Sequence, residues 1–287
     1  MLLMLGGLQA IPSAAQDQAT PPGIAVEHHD VGEDGGLDLV RVDGASARIQ
    51  IVAAGSPWLF PEPSTTRLCE TTGTDQSADG REACLRDIYL QGSPQSDPAF
   101  LLTEFLGKTG ALAVLSGGYL KSFSPPVALG LVVVDGHRFA KNHASWLTTV
   151  VLCESDAGAV LVSSEDFDTS QYESCLQSGP MIVESGRSRY DDLDAISAGE
   201  LNLVRSVQEQ AFVCVDGNGQ FVLGVSTPLE LSVFADFLAN QVHCDRAMRL
   251  SGHTTAGMAV GERVFGFSDI PLANAIAVIG VPASVPQ

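Results

Sequence analysis

Residues 226–260 read STPLELSVFADFLANQVHCDRAMRLSGHTTAGMAV, and this stretch decides the fold. Its first half predicts a helix that begins with a capping box. Thr227 suits the cap, Pro228 suits the first helical position, and Glu230 stands three residues after the cap. Apolar residues then recur at helical spacing as far as Asn240, where we expect the helix to end. This stripe should pack on a sheet and consists of Leu231, Phe234, Phe237 and Leu238.

The second half of the stretch predicts a short buried strand, residues 247–250, that stops at a loop of small residues. The loop covers residues 251–257 and precedes another apolar run at residues 258–260. Where a strand ends at small and hydroxyl-bearing residues, backbone N–H groups and side-chain oxygens are free to contact a ligand. The loop is therefore the first candidate site.

A similar unit of helix, strand and turn occurs earlier in the chain. Asp97-Pro98 predicts the start of a second capped helix, whose apolar face ends near residue 106, and residues 111–115 predict a buried strand. The strand leads directly into SGGYL at residues 116–120. Two adjacent glycines permit a close backbone approach or a positive φ, and Tyr119 can stack on a sugar or fill the core.

Turn residues between apolar runs predict several further strands. We expect hairpins around the turns at residues 154–158 and 216–219, a turn at Asp135-Gly136, and a final buried strand over residues 275–281. Residues 37–42 and 48–53 predict two strands joined by a turn. Residues 16–36 are polar and rich in turn residues, so a flexible acidic arm is expected there.

Four motifs in this order resemble the phosphodiester glycosidase family. The family's A-L-N-L-D-G-G-G-S-S-G aligns with AMRLSGHTTAG at residues 247–257, and its N-G-G-Y-F with SGGYL. CLQSGPMIVESG at residues 175–186 is similar to the family's L-Q-x-G-P-x-L-V-x-x-G. The family's R-T-A aligns with residues 209–211, before the hairpin. The resemblance covers residues 37–281 and implies one domain over residues 37–287. The expected class is α+β, with a mixed, mostly antiparallel sheet and packed helices.

The resemblance also implies where the site lies, namely where the two glycine-containing segments meet. The substrate-binding positions would be Ser116, Gly117, Gly118, Tyr119, Gly252 and Thr254. The catalytic positions would be His253, Ser251 and Thr255. The two threonines can hold phosphate oxygens or can simply close the loop. No cofactor and no metal site are predicted.

Three departures from the family pattern change the available chemistry. Ser251 stands at the family's aspartate, Ser116 at its asparagine and Glu209 at its arginine. Losing a catalytic acid or base commonly costs a factor of roughly 10² or more. The imidazole of His253 can titrate near neutral pH and act as an acid or a phosphate donor, or can merely hydrogen-bond a carbonyl. Glu209 can supply a carboxylate or be a solvated edge residue.

The composition limits the possible partners. With 287 residues and a hydrophobic fraction of 45%, the chain can form one large domain or two small ones. Its formal charge of -19 argues against nucleic acid or an anionic membrane as a partner, because both repel an acidic surface. A sugar-phosphate or glycan ligand needs only local donors and stays possible.

Two features predict export, to the periplasm or beyond the cell. Residues 1–15 resemble the apolar part of a secretory signal, with Ser13 and Ala15 at the small positions before a cut. No later apolar run is long enough for a membrane helix. The six cysteines are even in number and show no C-x-x-C spacing. Six cysteines allow 15 pairings, and we favour those that close a local excursion, Cys69–Cys84, Cys153–Cys175 and Cys214–Cys244.

Two functions of different classes follow from the sequence. The first is an exported phosphodiester glycosidase-type hydrolase that acts on a sugar-phosphate linkage with an altered acid–base set. The second is a non-catalytic relative that binds a glycan or a protein. A carboxylate within hydrogen-bond reach of Ser251 and Tyr119 would favour the hydrolase.

Overall fold

The computed structural model describes residues 20–33, 35–56, 59, 84, 99–155 and 158–281. The expected secretory signal, Cys69 and the Asp97-Pro98 helix start lie outside these residues. The described residues form three α-helices, α1 (Leu102–Thr109), α2 (Ala198–Val204) and α3 (Leu231–Asn240). No described helix combines the length and apolar character needed to cross a membrane.

The same residues form 21 β-strands. In chain order they are β1 (Ile24–Val31), β2 (Gly35–Val42), β3 (Ala47–Ala53), β4 (Ala113–Ser116), β5 (Leu120–Phe123), β6 (Pro126–Ala128), β7 (Val132–Val134), β8 (His137–Ala140), β9 (Val150–Ser155), β10 (Gly158–Ser163), β11 (Ser174–Ser178), β12 (Met181–Glu184), β13 (Arg187–Ser188), β14 (Val207–Gln208), β15 (Gln210–Asp216), β16 (Phe221–Ser226), β17 (Leu229–Glu230), β18 (Cys244–Gly252), β19 (Gly257–Val260), β20 (Arg263–Gly266) and β21 (Asn274–Gly280).

The strands build three main sheets. A seven-stranded sheet has the order β1-β2-β16-β15-β18-β12-β13, and two five-stranded sheets have the orders β20-β19-β4-β21-β3 and β10-β9-β11-β7-β8. Every pairing between the described strands is antiparallel. The antiparallel α+β prediction is thus confirmed in outline. The strands divide among several sheets rather than the one predicted, because consecutive strands such as β2 and β3 pair in different sheets, and no parallel pairing occurs between the described strands.

The largest apolar cluster joins the three sheets, because alternate residues of their strands point into one common core. Its fully buried members include Leu115, Leu152, Val213, Met248 and Ile276. A second cluster lies under α3, and a third lies under α1. These layers fix the ends of β4 and β18, which carry the candidate site.

Local turn chemistry explains the strands that the sequence predicts correctly. The predicted turn Asp135-Gly136 has φ values of 49° and 78°, a conformation in which aspartate and glycine are favoured. β9 pairs with β10 and β15 with β16, as expected. The strand predicted at residues 247–250 is also present, although β18 extends further at both ends.

The prediction of a flexible acidic arm is partly wrong. β1 and β2 pair along their full length, from the pair of Ile24 with Val42 to the pair of Val31 with Gly35. Strand β1 is not evident from the sequence because four consecutive polar residues, Glu27 to Asp30, interrupt its apolar pattern. Arg41 on β2 binds this polar run, since its Nε donates to Glu27 Oε1 at 2.7 Å. An apolar residue at its end, Val31, is buried under α3.

The predicted capping box of α3 is wrong. The Thr227 hydroxyl accepts a hydrogen bond from Gly36 N at 2.8 Å, so it caps no helix. Leu229–Glu230 forms β17, which pairs with β14, and the helix starts only at Leu231. The tertiary contact to β2 therefore overrides the local capping preference. The predicted end at Asn240 is confirmed.

The first helix starts at Leu102, and the Glu104 carboxylate accepts a hydrogen bond from Leu101 N at 2.8 Å. It ends at Thr109, and Gly110 caps it in the left-handed conformation with φ 64°. β4 then begins at Ala113, two residues later than predicted.

Two of the predicted disulfides are confirmed. Cys153 and Cys175 are direct cross-strand neighbours on β9 and β11, and Cys214 on β15 is bonded to Cys244 on β18. Cys84 is also disulfide-bonded, and its predicted partner Cys69 lies outside the described residues.

Candidate functional site

The two glycine-containing segments meet where the chain passes from one sheet to another. β18 belongs to the seven-stranded sheet and β19 to a five-stranded sheet, and a short 3-10 turn, His253–Thr255, joins them. β4 is the neighbour of β19 in that second sheet. Ser251 N donates a hydrogen bond to Gly117 O at 3.2 Å across the junction. The structure thus brings together the segments that the sequence singles out.

A chain of hydroxyl groups locks this junction. Gly257 N donates to Ser116 Oγ at 3.2 Å, and the Ser116 and Ser251 hydroxyl oxygens lie 2.9 Å apart. Ser251 Oγ lies 2.8 Å from Thr255 O. Because each hydroxyl has one proton, Ser116 donates to Ser251 and Ser251 donates to the carbonyl. Ser251 is 1% exposed, so its hydroxyl is fully occupied inside the protein.

The predicted Gly117-Gly118 pair is needed for close backbone approach. Gly118 N donates to Asn274 Oδ1 at 2.9 Å. A Cβ atom on Gly117 would stand 1.9 Å from that same oxygen and 2.8 Å from Asn274 O. Asn274, at the start of β21, is a site residue that the sequence reasoning missed. No motif marks it, because its role depends on a neighbour 156 positions away.

A titratable pair stands at the exposed side of the junction. His253 N donates to Glu209 O at 3.0 Å, and His253 Nδ1 lies 3.6 Å from Glu209 Oε2. The histidine side chain is 68% exposed, whereas that of Glu209 is 16% exposed. His253 has φ 53°, a left-handed conformation that few residue types adopt readily. Its ring contacts Phe267 edge to face, with centroids 6.4 Å apart.

Next to this pair lies an open cleft of about 240 Å³. It is lined by Asp38, Glu209, Val225, Ser226, Thr227, Pro228, Gly266 and Phe267. Thr254 is partly exposed beside His253. The Thr255 hydroxyl donates to Gly252 O at 2.8 Å, so this side chain closes its own loop.

Arg249 is the second residue that the sequence reasoning missed. It is 2% exposed, and its Nε donates to Gln210 Oε1 at 2.6 Å. Its Nη1 donates to the Tyr119 hydroxyl, which donates in turn to Gly179 O at 2.7 Å. Burial raises the pKa of Tyr119, and the positive charge of Arg249 opposes that rise. The available clue was a charged residue inside a run predicted to be a buried strand.

Comparison with known proteins gives one family. A sequence profile described as phosphodiester glycosidase matches residues 109–279. Among solved structures, the chain is similar to the catalytic domain of zebrafish N-acetylglucosamine-1-phosphodiester alpha-N-acetylglucosaminidase, described as auto-inhibited by its pro-peptide. The TM-score is 0.63 and the identity 12%, over 91% of this chain and 85% of that chain.

A hypothetical protein from Synechocystis is also similar, with a TM-score of 0.54 and 11% identity over 89% of this chain and 62% of that one. At these identities the structures establish the fold alone. No curated protein sequence matches the chain.

Proposed function

This chain belongs to the phosphodiester glycosidase family, and we propose that it is an exported hydrolase that cleaves the linkage between a sugar and a phosphate in a glycan or an envelope polymer. The two confirmed disulfides fit an exported protein, as does the secretory signal expected at residues 1–15.

The observation that carries the proposal is the pair of His253 and Glu209 beside the junction of the two motifs. Hydrolysis needs a group that takes a proton from water as water attacks the anomeric carbon. The carboxylate of Glu209 lies 3.6 Å from Nδ1, which leaves Nε2 as the ring nitrogen that takes the proton. An exposed imidazole next to an open cleft can reach a bound water molecule.

The proposed reaction balances without another reactant. The water oxygen forms the new bond to the anomeric carbon while the bond from that carbon to the phosphate oxygen breaks. His253 takes the proton of the water, and the phosphate leaves with the bonding electron pair. A phosphate monoester is a stable anion, so the leaving group needs hydrogen-bond donors and positive charge more than a strong acid.

A specific observation favours a second candidate, a non-catalytic binder of glycans. Ser251 and Thr255, two of the predicted catalytic residues, use their hydroxyl groups on backbone carbonyls. Among the described residues, no carboxylate hydrogen-bonds to Ser251 or to Tyr119. In this second candidate the carboxylate expected of a standard family site is missing, and the cleft binds a glycan without cleaving it.

Steady-state hydrolysis of synthetic sugar phosphodiesters separates the two candidates. His253→Asn is the informative variant, because asparagine tolerates the left-handed backbone but cannot take the proton. We expect a loss in kcat of roughly 10²- to 10⁴-fold. Glu209→Gln should also lower kcat. His137→Ala on β8 serves as a control, and its rate should be unchanged. Binding without turnover across several sugars would support the non-catalytic candidate.

A further inference from the structure

Arg249 is a buried cation whose charge no described carboxylate neutralises. The guanidinium group stays protonated in proteins, and a buried charge is normally paired because leaving water costs several kcal/mol. The contacts of Arg249 within the described part of the chain are to neutral groups, the Gln210 amide and the Tyr119 hydroxyl. Glu200, a buried carboxylate on α2, forms no ion pair with it. Both charges act on Tyr190: burial raises the pKa of that hydroxyl, the charge of Glu200 raises it further, and the charge of Arg249 opposes the rise.

The surroundings hold the guanidinium group in one place. Gln210 is fully buried, and its amide nitrogen donates to Gln208 O at 3.1 Å and to Leu229 O at 3.2 Å. Its oxygen is therefore fixed toward Arg249. On the other side, the Arg249 Cζ atom lies 5.4 Å from the centre of the Tyr119 ring. Amide and ring thus orient the fork of donors without cancelling its charge.

The remaining nitrogen, Nη2, faces the loop that follows β18. A Cβ atom on Gly252 would lie 2.0 Å from Nη2 and 3.0 Å from Cζ. Only a glycine leaves this space to the guanidinium group, and its φ of -141° is open to any residue, so the requirement is spatial. Gly252 and Tyr119 therefore flank the two terminal nitrogens of the arginine, Nη2 and Nη1 respectively.

We propose that Arg249 binds the oxyanion of a phosphate ester at this junction, held ready by Gln210, Tyr119 and Gly252. The proposal rests on the proposed function and names the group that receives the phosphate. An oxyanion would supply the missing countercharge and accept N–H bonds from a planar fork, the geometry in which arginine binds phosphate. Arg249 also places a cation beside Gln210, the neighbour of Glu209, which is an acid where the family has a basic residue.

The test is a binding measurement on the oxidised protein, with inorganic phosphate and a glycosyl phosphate as probes and the neutral sugar as a reference. Arg249→Met should raise both phosphate dissociation constants by roughly 10- to 100-fold, because charged hydrogen bonds are lost. Arg246→Met, on the same strand but exposed, removes the same charge and should leave these constants unchanged. Binding of the neutral sugar should not change in either variant.

Two further variants cover a failure of Arg249→Met to fold. Arg249→Lys keeps the charge but loses the fork, and should weaken phosphate binding less than methionine does. Gly252→Ala leaves the arginine in the sequence but displaces its terminal nitrogen, and should also weaken phosphate binding.

Equal phosphate affinity in the wild type and all Arg249 variants, or no phosphate binding by the wild type, overturns the proposal. Tight, Arg249-dependent binding without hydrolysis would defeat the hydrolase proposal and leave this one standing. Hydrolysis with an unchanged KM in Arg249→Met would defeat the phosphate-binding role of Arg249 and leave the hydrolase proposal standing.

Discussion

Replacing Ser251 by the aspartate of the family should destabilise the protein rather than restore a catalytic group. The serine hydroxyl donates a hydrogen bond to Thr255 O at 2.8 Å and accepts one from the Ser116 hydroxyl at 2.9 Å. An ionised aspartate has no proton to give, so the carbonyl loses its donor and faces a negative oxygen. Arg249 is turned toward Gly252 and Tyr119, and no hydrogen bond joins it to Ser251.

The magnitude follows from these contacts. Leaving the buried carbonyl without a donor costs about 1–3 kcal/mol. Adding an uncompensated buried charge brings the expected loss to roughly 3–5 kcal/mol near pH 7. The loss should shrink toward pH 4, because a protonated aspartic acid can again donate to Thr255 O. Ser251→Ala lacks the charge and should cost about 1–2 kcal/mol at either pH.

Urea denaturation followed by circular dichroism at pH 4 and pH 7 measures these differences. Thr254→Asp, which adds the same charge at a partly exposed position, should stay within about 0.5 kcal/mol of the wild type. The reasoning is refuted if Ser251→Asp is as stable as the wild type at pH 7, or if its loss equals that of Ser251→Ala at both pH values. If Ser251→Asp fails to gain activity, the loss of stability alone explains that failure.

Three further predictions concern the frame around the site. Burial raises the pKa of Glu154 to about 7, against the hydrogen bond from Ile51 N. Its folded-state pKa lies above its unfolded value of 4.5, so its contribution is full below pH 4.5 and lost as pH rises through 7. The free energy of unfolding should fall by up to about 3 kcal/mol over that window, and Glu154→Gln should flatten this pH dependence in urea titrations. Gly117→Ala should cost about 1–3 kcal/mol by thermal denaturation and weaken ligand binding, because its methyl group would collide with Asn274; normal binding would contradict the close approach. Reducing the two described disulfides, with sequence separations of 22 and 30 residues, should cost about 3 kcal/mol each in urea denaturation, and an unchanged midpoint would contradict this.

The sequence predicts those parts of the fold that depend on neighbouring residues. Turns such as Asp135-Gly136 carry their own conformational preference, and the hairpins around them are found as expected. The capping box at Thr227 fails because the same hydroxyl is taken by Gly36, 191 positions away. Strand β1 escapes notice since it lies at a sheet edge, where the polar run from Glu27 to Asp30 is not buried. Sheet partners depend on long-range pairing, so the division into three sheets was not predictable from local pattern.

The candidate site divides in the same way. The motifs indicate that the Gly117 turn and the Ser251 loop meet, and they do. Their hydroxyl groups, however, bind each other and the backbone, which residue types alone do not reveal. Arg249 stood inside an apolar run, and only its burial without a carboxylate partner in the described structure makes it a candidate. Chemistry that depends on which group lacks a partner requires coordinates.

The central claim is that the His253–Glu209 pair serves hydrolysis, and its most direct measurement is sugar release from a synthetic sugar phosphodiester by the purified, oxidised protein. We expect the wild type to turn over at least one sugar phosphodiester and His253→Asn to lose at least about 10²-fold in kcat while still binding the substrate. Full activity in His253→Asn would contradict the assignment of the base. No turnover by the wild type on any sugar tested would contradict the hydrolase itself.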